Sequence, residues 1–192
     1  MKNDKNTYEQ VEIASRGALR DWLSRHHKQT ESVWLVTYKK HTGDKYVAYD
    51  EIVEESLCFG WIDSVSRKLD SDRTQCLLSP RKPKSVWSKV NKTRVEKLLN
   101  NGLMMPPGQA AIDIAKANGM WTFLDDVEAL ILPDDLRQLL AKNAAAKENF
   151  EAFSPSAKKG ILQWIKMAKK PDTRQQRVEK TVSLAAENIK AR

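Results

Sequence analysis

The chain has 192 residues, of which 41% are hydrophobic, and a formal net charge of +8 at pH 7. This length and apolar fraction allow a sizeable core, so the composition excludes a largely disordered chain. Residues 1–7 are charged rather than apolar, and no later stretch is as long and apolar as a membrane span. The sequence therefore predicts neither a signal peptide nor a transmembrane helix, and we expect a cytoplasmic protein.

The first part of the chain alternates between helical and extended patterns. Ser15 suits the N-cap of a helix that continues to His27. Residues 33–38 are rich in β-branched and aromatic side chains, which predicts a strand. Apolar residues at helical spacing then predict a helix over residues 50–60, with a glycine where a C-cap belongs.

A short polar turn at residues 70–72 lies between two extended segments and predicts a β-hairpin. With a two-residue loop, Asp63, Val65 and Arg67 share the apolar face of this hairpin. A carboxylate on that face needs a partner, because burying it unpaired is costly. We hypothesise an ion pair between Asp63 and Arg81; the alternative, in which Asp63 accepts backbone or serine hydrogen bonds, stays open.

Two prolines make residues 80–84 a loop, after which Ser85 or Ser88 can cap a helix that continues to about Leu99. A helix start rich in serine and lysine can hold a phosphate, sulfate or carboxylate, and a plainly capped helix is the alternative. We predict that a small anion or a peptide binds near these segments. The predicted ligand-binding residues are Trp61, Asp63, Arg81, Lys84, Ser85, Trp87, Ser88 and Asn91.

The rest of the chain is predicted to be helical. A proline pair at 106–107 begins a helix that ends near Gly119, and four more helices are predicted beyond residue 123. Those four cover residues 133–142, 144–153, 155–170 and 171–189. The fold class is therefore α+β, with a small, mostly antiparallel sheet packed with helices and an all-helical C-terminal region. We place the α+β domain at residues 1–122 and the helical region at 123–192.

Positive charge is concentrated in two blocks. Residues 158–192 contain ten Lys or Arg and three acidic residues, and residues 81–97 contain seven and one. These blocks suggest nucleic-acid binding as an alternative function, although lysine-rich helix faces are often only solvated. The candidate polyanion-binding residues of the C-terminal block are Lys158, Lys159, Lys166, Lys169, Lys170, Arg174 and Arg177.

The sequence has no motif for catalysis, cofactor binding or metal binding. It has no P-loop, dinucleotide fingerprint, zinc-protease helix or nucleophile elbow, and Cys58 and Cys76 have no zinc-ligand spacing. We expect both cysteines to be buried, reduced thiols. We therefore predict no catalytic residue, no cofactor and no metal. An enzyme of an unrecognised class is the open alternative, because residues brought together only by folding leave no motif.

Several segments together resemble one family. The longest is EESLCFGWID at residues 54–63, and the others fall within residues 33–40, 80–91, 115–121 and 168–177. In combination they are similar to the YdeI/OmpD-associated family, whose members are also called bacteriocin-protection proteins. The resemblance implies a binding role in protection against bacteriocins or membrane stress, with no established reaction or cofactor. The expected function is thus that of a cytoplasmic, non-enzymatic binding or stress-protection protein.

Overall fold

The computed structural model describes residues 8–192, and the chain divides after Thr122 into two compact units. The prediction that residues 1–7 carry no export signal lies outside the described residues. Within residues 8–192, no helix combines the length and the apolar character needed to cross a membrane. Below, the part up to Thr122 is called the first unit and the part from Phe123 the second unit.

A four-stranded mixed sheet forms the centre of the first unit. Its strands lie in the order β1, β2, β4, β3; β1 runs parallel to β2, and the other two pairings are antiparallel. The bounds are β1 Gln10–Glu12, β2 Val33–Tyr38, β3 Trp61–Lys68 and β4 Arg73–Pro80. This sheet, packed with helices and followed by an all-helical region, confirms the predicted α+β fold class.

Four α-helices accompany the sheet in the described part of the first unit. They are α1 Arg16–His26, α2 Tyr49–Cys58, α3 Lys89–Asn100 and α4 Pro106–Ala117, and a short 3₁₀ segment covers Lys40–Lys45. Ser15 caps α1 by accepting a hydrogen bond from the Ala18 N–H, and Ser88 caps α3 in the same way through Asn91. Ser15 was the predicted cap of α1, and Ser88 was one of two candidates, with Ser85, for the cap of α3, because a serine followed by an apolar period is a local signal.

A β-bulge changes which residues of β3 face the core. Asp63 is opposite Leu78, but the register then shifts, and Ser66 is opposite Cys76. The extra residue moves the following side chains to the other face of the strand. The prediction that Val65 and Arg67 share the face of Asp63 is therefore wrong: Val65 is 45% exposed, and Arg67 lies on the ring of Trp34.

The core of the first unit lies between one face of the sheet and the helices. Leu19 and Leu23 of α1, Leu57 of α2 and Leu78 of β4 are fully buried there. Trp61 is also fully buried, and its ring meets Trp22 edge-on at 5.7 Å between centroids. Full burial of one leucine side chain contributes about 1.5–3 kcal/mol, so these residues dominate the packing of α1 and α2 on the sheet.

Two glycines allow α4 to approach the end of α2 closely. Gly60 has φ +74°, and a Cβ there would lie 2.9 Å from the carbonyl oxygen of Pro107. A Cβ on Gly108 would lie 2.3 Å from the carbonyl oxygen of Cys58. The Met105 N–H also donates to that same carbonyl, at 3.3 Å. This contact places α4 beside the turn between α2 and β3.

In the residues that the structure describes, the second unit is entirely helical. Its helices are α5 Asp125–Glu128, α6 Asp134–Ala141, α7 Ala144–Ala152, α8 Pro155–Lys166 and α9 Pro171–Ala186. Leu136, Phe150, Ile161 and Val178 are buried between them. The predicted helix over residues 155–170 ends earlier, at Lys166, because Pro171 forces Lys170 into an extended conformation (ψ 140°).

Candidate functional site

A cleft of about 260 Å³ opens in the first unit, between the loop after β4, the turn from α2 to β3, and α4. Among the described residues that line it, three are basic (His27, Arg81 and Lys82) and none is acidic. The other lining residues are apolar side chains or glycine: Phe59, Gly60, Pro80, Pro83, Trp87, Pro107, Ala110, Ala111, Ile114 and Ala115. The cleft is therefore apolar with one sign of charge, which favours an anion that carries an apolar group.

Arg81 is the central polar residue of the cleft. Its backbone N–H donates to the Gly60 carbonyl at 2.9 Å, and its guanidinium carbon lies 3.7 Å from the centroid of the Trp87 ring. Nη1 donates to the Val86 carbonyl at 3.4 Å. Nε and Nη2 are buried and have no hydrogen-bond partner among residues 8–192. Burial lowers the pKa of Arg81 to about 10, against the opposing effect of the Asp63 carboxylate.

The two atoms without acceptors belong to one edge of the guanidinium. The Nε–H and Nη2–H bonds point in nearly parallel directions, so they match two oxygens of a carboxylate or a phosphate. The same edge is used elsewhere in this chain: Arg174 donates from Nε and Nη2 to Asp135, at 2.7 and 3.1 Å. The unpaired edge of Arg81 can therefore donate two hydrogen bonds to one carboxylate, as the same edge of Arg174 does to Asp135.

Asp63 lies near Arg81 without binding it. Among the described residues, Asp63 accepts a short hydrogen bond from the Tyr49 hydroxyl and forms no ion pair with Arg81. Burial and this hydrogen bond raise the pKa of Tyr49. The predicted ion pair is therefore wrong, because Arg81 turns onto Trp87 while α2 brings Tyr49 to Asp63. The alternative prediction, in which Asp63 accepts a hydrogen bond, is closer to the structure. The donor is a tyrosine hydroxyl, however, and not a backbone or serine group.

Of the eight predicted ligand-binding residues, Arg81 and Trp87 line the cleft. Trp61 lies in the core instead. Ser85 accepts a hydrogen bond from the Lys82 N–H, and Lys84 in the same loop is exposed. The hydroxyl of Ser88 caps α3 through the N–H of Asn91, as in the plainly capped alternative. A ligand at any of these residues stays a prediction.

Sequence reasoning missed the remaining lining residues. His27 comes from the end of α1, and Ala110, Ala111 and Ile114 come from α4. The small residues of α4 gave no sign that they faced a cleft, since alanines in a helix are usually filling. The useful signal was the sequence Pro106–Pro107–Gly108, because a glycine in the first turn of a helix indicates a close backbone approach.

Much of the predicted polyanion-binding set is already in contact with groups of the second unit. Lys159 pairs with Glu128 at 2.7 Å, Lys166 with Asp126 at 2.5 Å and Arg174 with Asp135 at 2.7 Å. Lys158 donates to the Glu151 carbonyl and Arg177 to that of Trp164, while Lys169 and Lys170 are exposed. These ion pairs reduce the charge available to a polyanion, and nucleic-acid binding stays a prediction.

The hydrogen bonds in these pairs outweigh the effect of burial on the acidic partners. Burial disfavours the charged form of Asp126 and Asp135, but the Lys166 and Arg174 bonds bring the pKa of each carboxyl below its ordinary value. The carboxylates are therefore ionised and act as fixed counter-charges inside the second unit.

Fold and cleft together define a two-unit α+β protein with a basic, otherwise apolar cleft in its first unit. The chain belongs to the family described as a domain of unknown function, DUF8412, whose model matches residues 11–111 and so includes Arg81 and Trp87. Residues 129–188 match a second model, described as bacteriocin-protection, YdeI or OmpD-associated, which confirms the resemblance found in the sequence. No curated protein and no solved structure matches the chain.

Proposed function

We propose that this chain is a cytoplasmic, non-enzymatic binding protein of the YdeI/OmpD-associated type, whose first-unit cleft binds a small organic anion. One observation carries the proposal: the buried Nε and Nη2 groups of Arg81 lack acceptors among the described residues. A buried donor left without an acceptor costs about 1–3 kcal/mol, and more when it belongs to a charged group. A carboxylate or phosphate supplies both acceptors at once and offsets that cost.

The lining of the cleft defines the rest of the ligand. Phe59, Trp87 and Ile114 offer apolar contact area, and Lys82 adds donors and positive charge. We expect an anion with an apolar body to bind better than inorganic phosphate. The carboxylate of a peptide that ends in an apolar residue has the same chemistry.

Binding has to be coupled to a small movement of the loop. Because Nε and Nη2 of Arg81 are buried, an anion reaches them only if the arginine or the loop over residues 81–88 shifts. The hydrogen bond from Asn118 to the Pro83 carbonyl, at 2.7 Å, holds the outer part of this loop to the end of α4. Weakening that bond is one way for the loop to open.

We expect Arg81→Met to weaken binding at least tenfold without destabilising the protein. A charge-assisted pair of hydrogen bonds is lost, worth about 1.5–3 kcal/mol each to a charged group. Methionine still packs on Trp87, and the substitution removes a buried charge, so the free energy of unfolding stays equal or rises. Calorimetric titration with phenyl phosphate and N-acetylphenylalanine measures the affinity, and urea denaturation measures the stability.

The control for this experiment is Lys68→Ala, an exposed residue at the end of β3, outside the lining and outside the predicted ligand-binding set. We expect its affinities to stay within about twofold, because one exposed charge is largely screened. Equal affinities for wild type and Arg81→Met would remove Arg81 from the site. Failure of wild type to bind either compound would remove the small-anion proposal.

The two cysteines support the cytoplasmic part of the proposal. Cys58 and Cys76 are both buried and form no disulfide in the described part of the chain. Burial raises the pKa of the Cys58 thiol to about 11, so it is protonated and unreactive near neutral pH. Reduced, buried thiols are typical of proteins in a reducing compartment. Fractionation of cells that produce the tagged full chain tests the location.

A further inference from the structure

A second cavity, of about 440 Å³, lies in the second unit. Its described lining residues are Gly160, Gln163, Trp164, Met167, Arg177 and Arg192. From these residues we infer a site for a nucleoside monophosphate, separate from the first-unit cleft and additional to the proposed function. The volume falls within the range of roughly 300–1,000 Å³ that is common for small-molecule sites.

The aromatic part of the site is one face of α8. Residues 160, 163, 164 and 167 are spaced at i, i+3, i+4 and i+7, so they lie on the same side of the helix. Trp164 is half-buried, and Met167 is 45% exposed. An indole and a thioether favour a planar ring, and the Gln163 amide can pair with the edge of a base.

Gly160 has no packing reason to be a glycine. It lies inside α8, where glycine costs helix stability relative to alanine. A Cβ at this position would have no atom within 4 Å, so no neighbour excludes a side chain there. Gly160 lines the cavity one helical turn before Trp164, so a large side chain at 160 would fill part of that cavity.

Two arginines in the lining favour a ligand with an anionic group. The Arg177 guanidinium lies 5.0 Å from the Trp164 ring centroid and donates through Nη1 to the Trp164 carbonyl, which fixes its position. Its remaining donors can hold a phosphate next to the ring. Arg192 is a second guanidinium in the lining, and none of the described lining residues is acidic. A planar ring, an amide that can pair with its edge and a phosphate in adjacent positions fit a nucleoside monophosphate.

Titration of the full chain with AMP, followed by NMR of the tryptophan indole N–H signals, tests this site. Adenosine lacks the phosphate and ribose 5-phosphate lacks the base, so we expect each to bind at least tenfold more weakly than AMP. Using Arg81→Met as the background removes the first-unit cleft from the measurement. AMP that binds no better than both fragments, or not at all at millimolar concentration, overturns the proposal.

Gly160→Leu separates binding from folding. Leucine is a better helix former than glycine, so we expect unchanged or higher thermal stability together with at least a tenfold loss of AMP affinity. Lys142→Leu, at an exposed position of the second unit outside the lining, is the control, and we expect it to keep the affinity. Arg177→Gln should reduce the affinity for AMP to that for adenosine. Unchanged AMP binding in a folded Gly160→Leu protein contradicts the site, whatever the stability of Arg177→Gln.

Discussion

Gly108→Ala is expected to lower the free energy of unfolding of the first unit by about 3 kcal/mol, since overpacking of a tight contact costs 1–3 kcal/mol and occasionally more. The new Cβ would lie 2.3 Å from the Cys58 carbonyl oxygen, 2.6 Å from that of Leu57 and 2.6 Å from Sδ of Met104. Two of these three atoms belong to the backbone, so no side-chain rotation relieves the contact, and α4 has to move away from α2. Urea denaturation followed by tryptophan fluorescence measures the loss.

Gly17→Ala provides the control within the same unit. Gly17 lies in the first turn of α1, and its new Cβ would meet only Ser15 Oγ, at 4.0 Å. We expect a gain of about 0.5–1 kcal/mol, because alanine loses less backbone entropy on folding than glycine. Similar unfolding curves for Gly108→Ala and Gly17→Ala would contradict the close contact between α4 and the end of α2.

The consequences of Gly108→Ala extend to the proposed site. Pro107, Ala110 and Ala111 of α4 form one wall of the cleft, and the turn at Gly60 lies against Pro107. Movement of α4 away from α2 therefore changes the width of the cleft. We expect the remaining folded protein to bind phenyl phosphate less tightly than wild type, even though Gly108 is not part of the lining.

The elements that the sequence predicted well are those with a complete local signal. Strand β2 has the predicted bounds, Val33–Tyr38, because a run of β-branched and aromatic residues is buried on both faces. The starts of α1 and α3 were found through their serine caps. Strand β1, Gln10–Glu12, is too short to show a period, and its pairing with β2 depends on residues more than 20 positions away.

The site was predictable only in part, because some of its residues have a local signal in the sequence and others do not. Arg81 and Trp87 are close in sequence, and the unusual loop between the hairpin and α3 marked both. His27 and α4 reach the same cleft through tertiary packing, which a single sequence does not encode in any local pattern. The error at Asp63 arose from choosing the partner nearest along the hairpin, when the hydrogen bond comes from Tyr49 on a neighbouring helix. The assignment of residues 1–122 and 123–192 as separate domains stays a prediction.

Glu55→Gln is expected to destabilise the first unit by about 3 kcal/mol, because removing one partner of a buried ion pair leaves the other uncompensated. The side chain of Glu55 is only 2% exposed. Its carboxylate accepts from Arg16 Nε at 2.7 Å and from Arg20 Nη1 at 2.8 Å, and both arginines belong to α1. Glutamine keeps the size but loses the charge, so the loss measures the electrostatic link between α1 and α2.

The loss of unfolding free energy in Glu55→Gln should remain below about 5 kcal/mol, which is the largest loss usual for breaking a buried ion pair. The side chains of Arg16 and Arg20 are 33% and 30% exposed, so water can partly solvate them once Glu55 is neutral. Arg16 also keeps a second carboxylate, that of Glu54, at 3.1 Å. A larger loss would mean that α1 leaves the sheet altogether. The far-ultraviolet circular dichroism of the protein without urea would then show a loss of helical signal.

Asp50→Asn is the matched comparison on the same helix. Asp50 pairs with Arg94 at 2.5 Å, but its side chain is 72% exposed. An exposed pair contributes about 0–1 kcal/mol and is weakened by salt, whereas a buried pair is screened much less. In urea denaturation at 0.05 and 0.5 M NaCl, we expect the loss in Glu55→Gln to change little with salt and that in Asp50→Asn to shrink. Equal, salt-sensitive losses in both variants would contradict a buried Glu55 as the group that fastens α1 to α2.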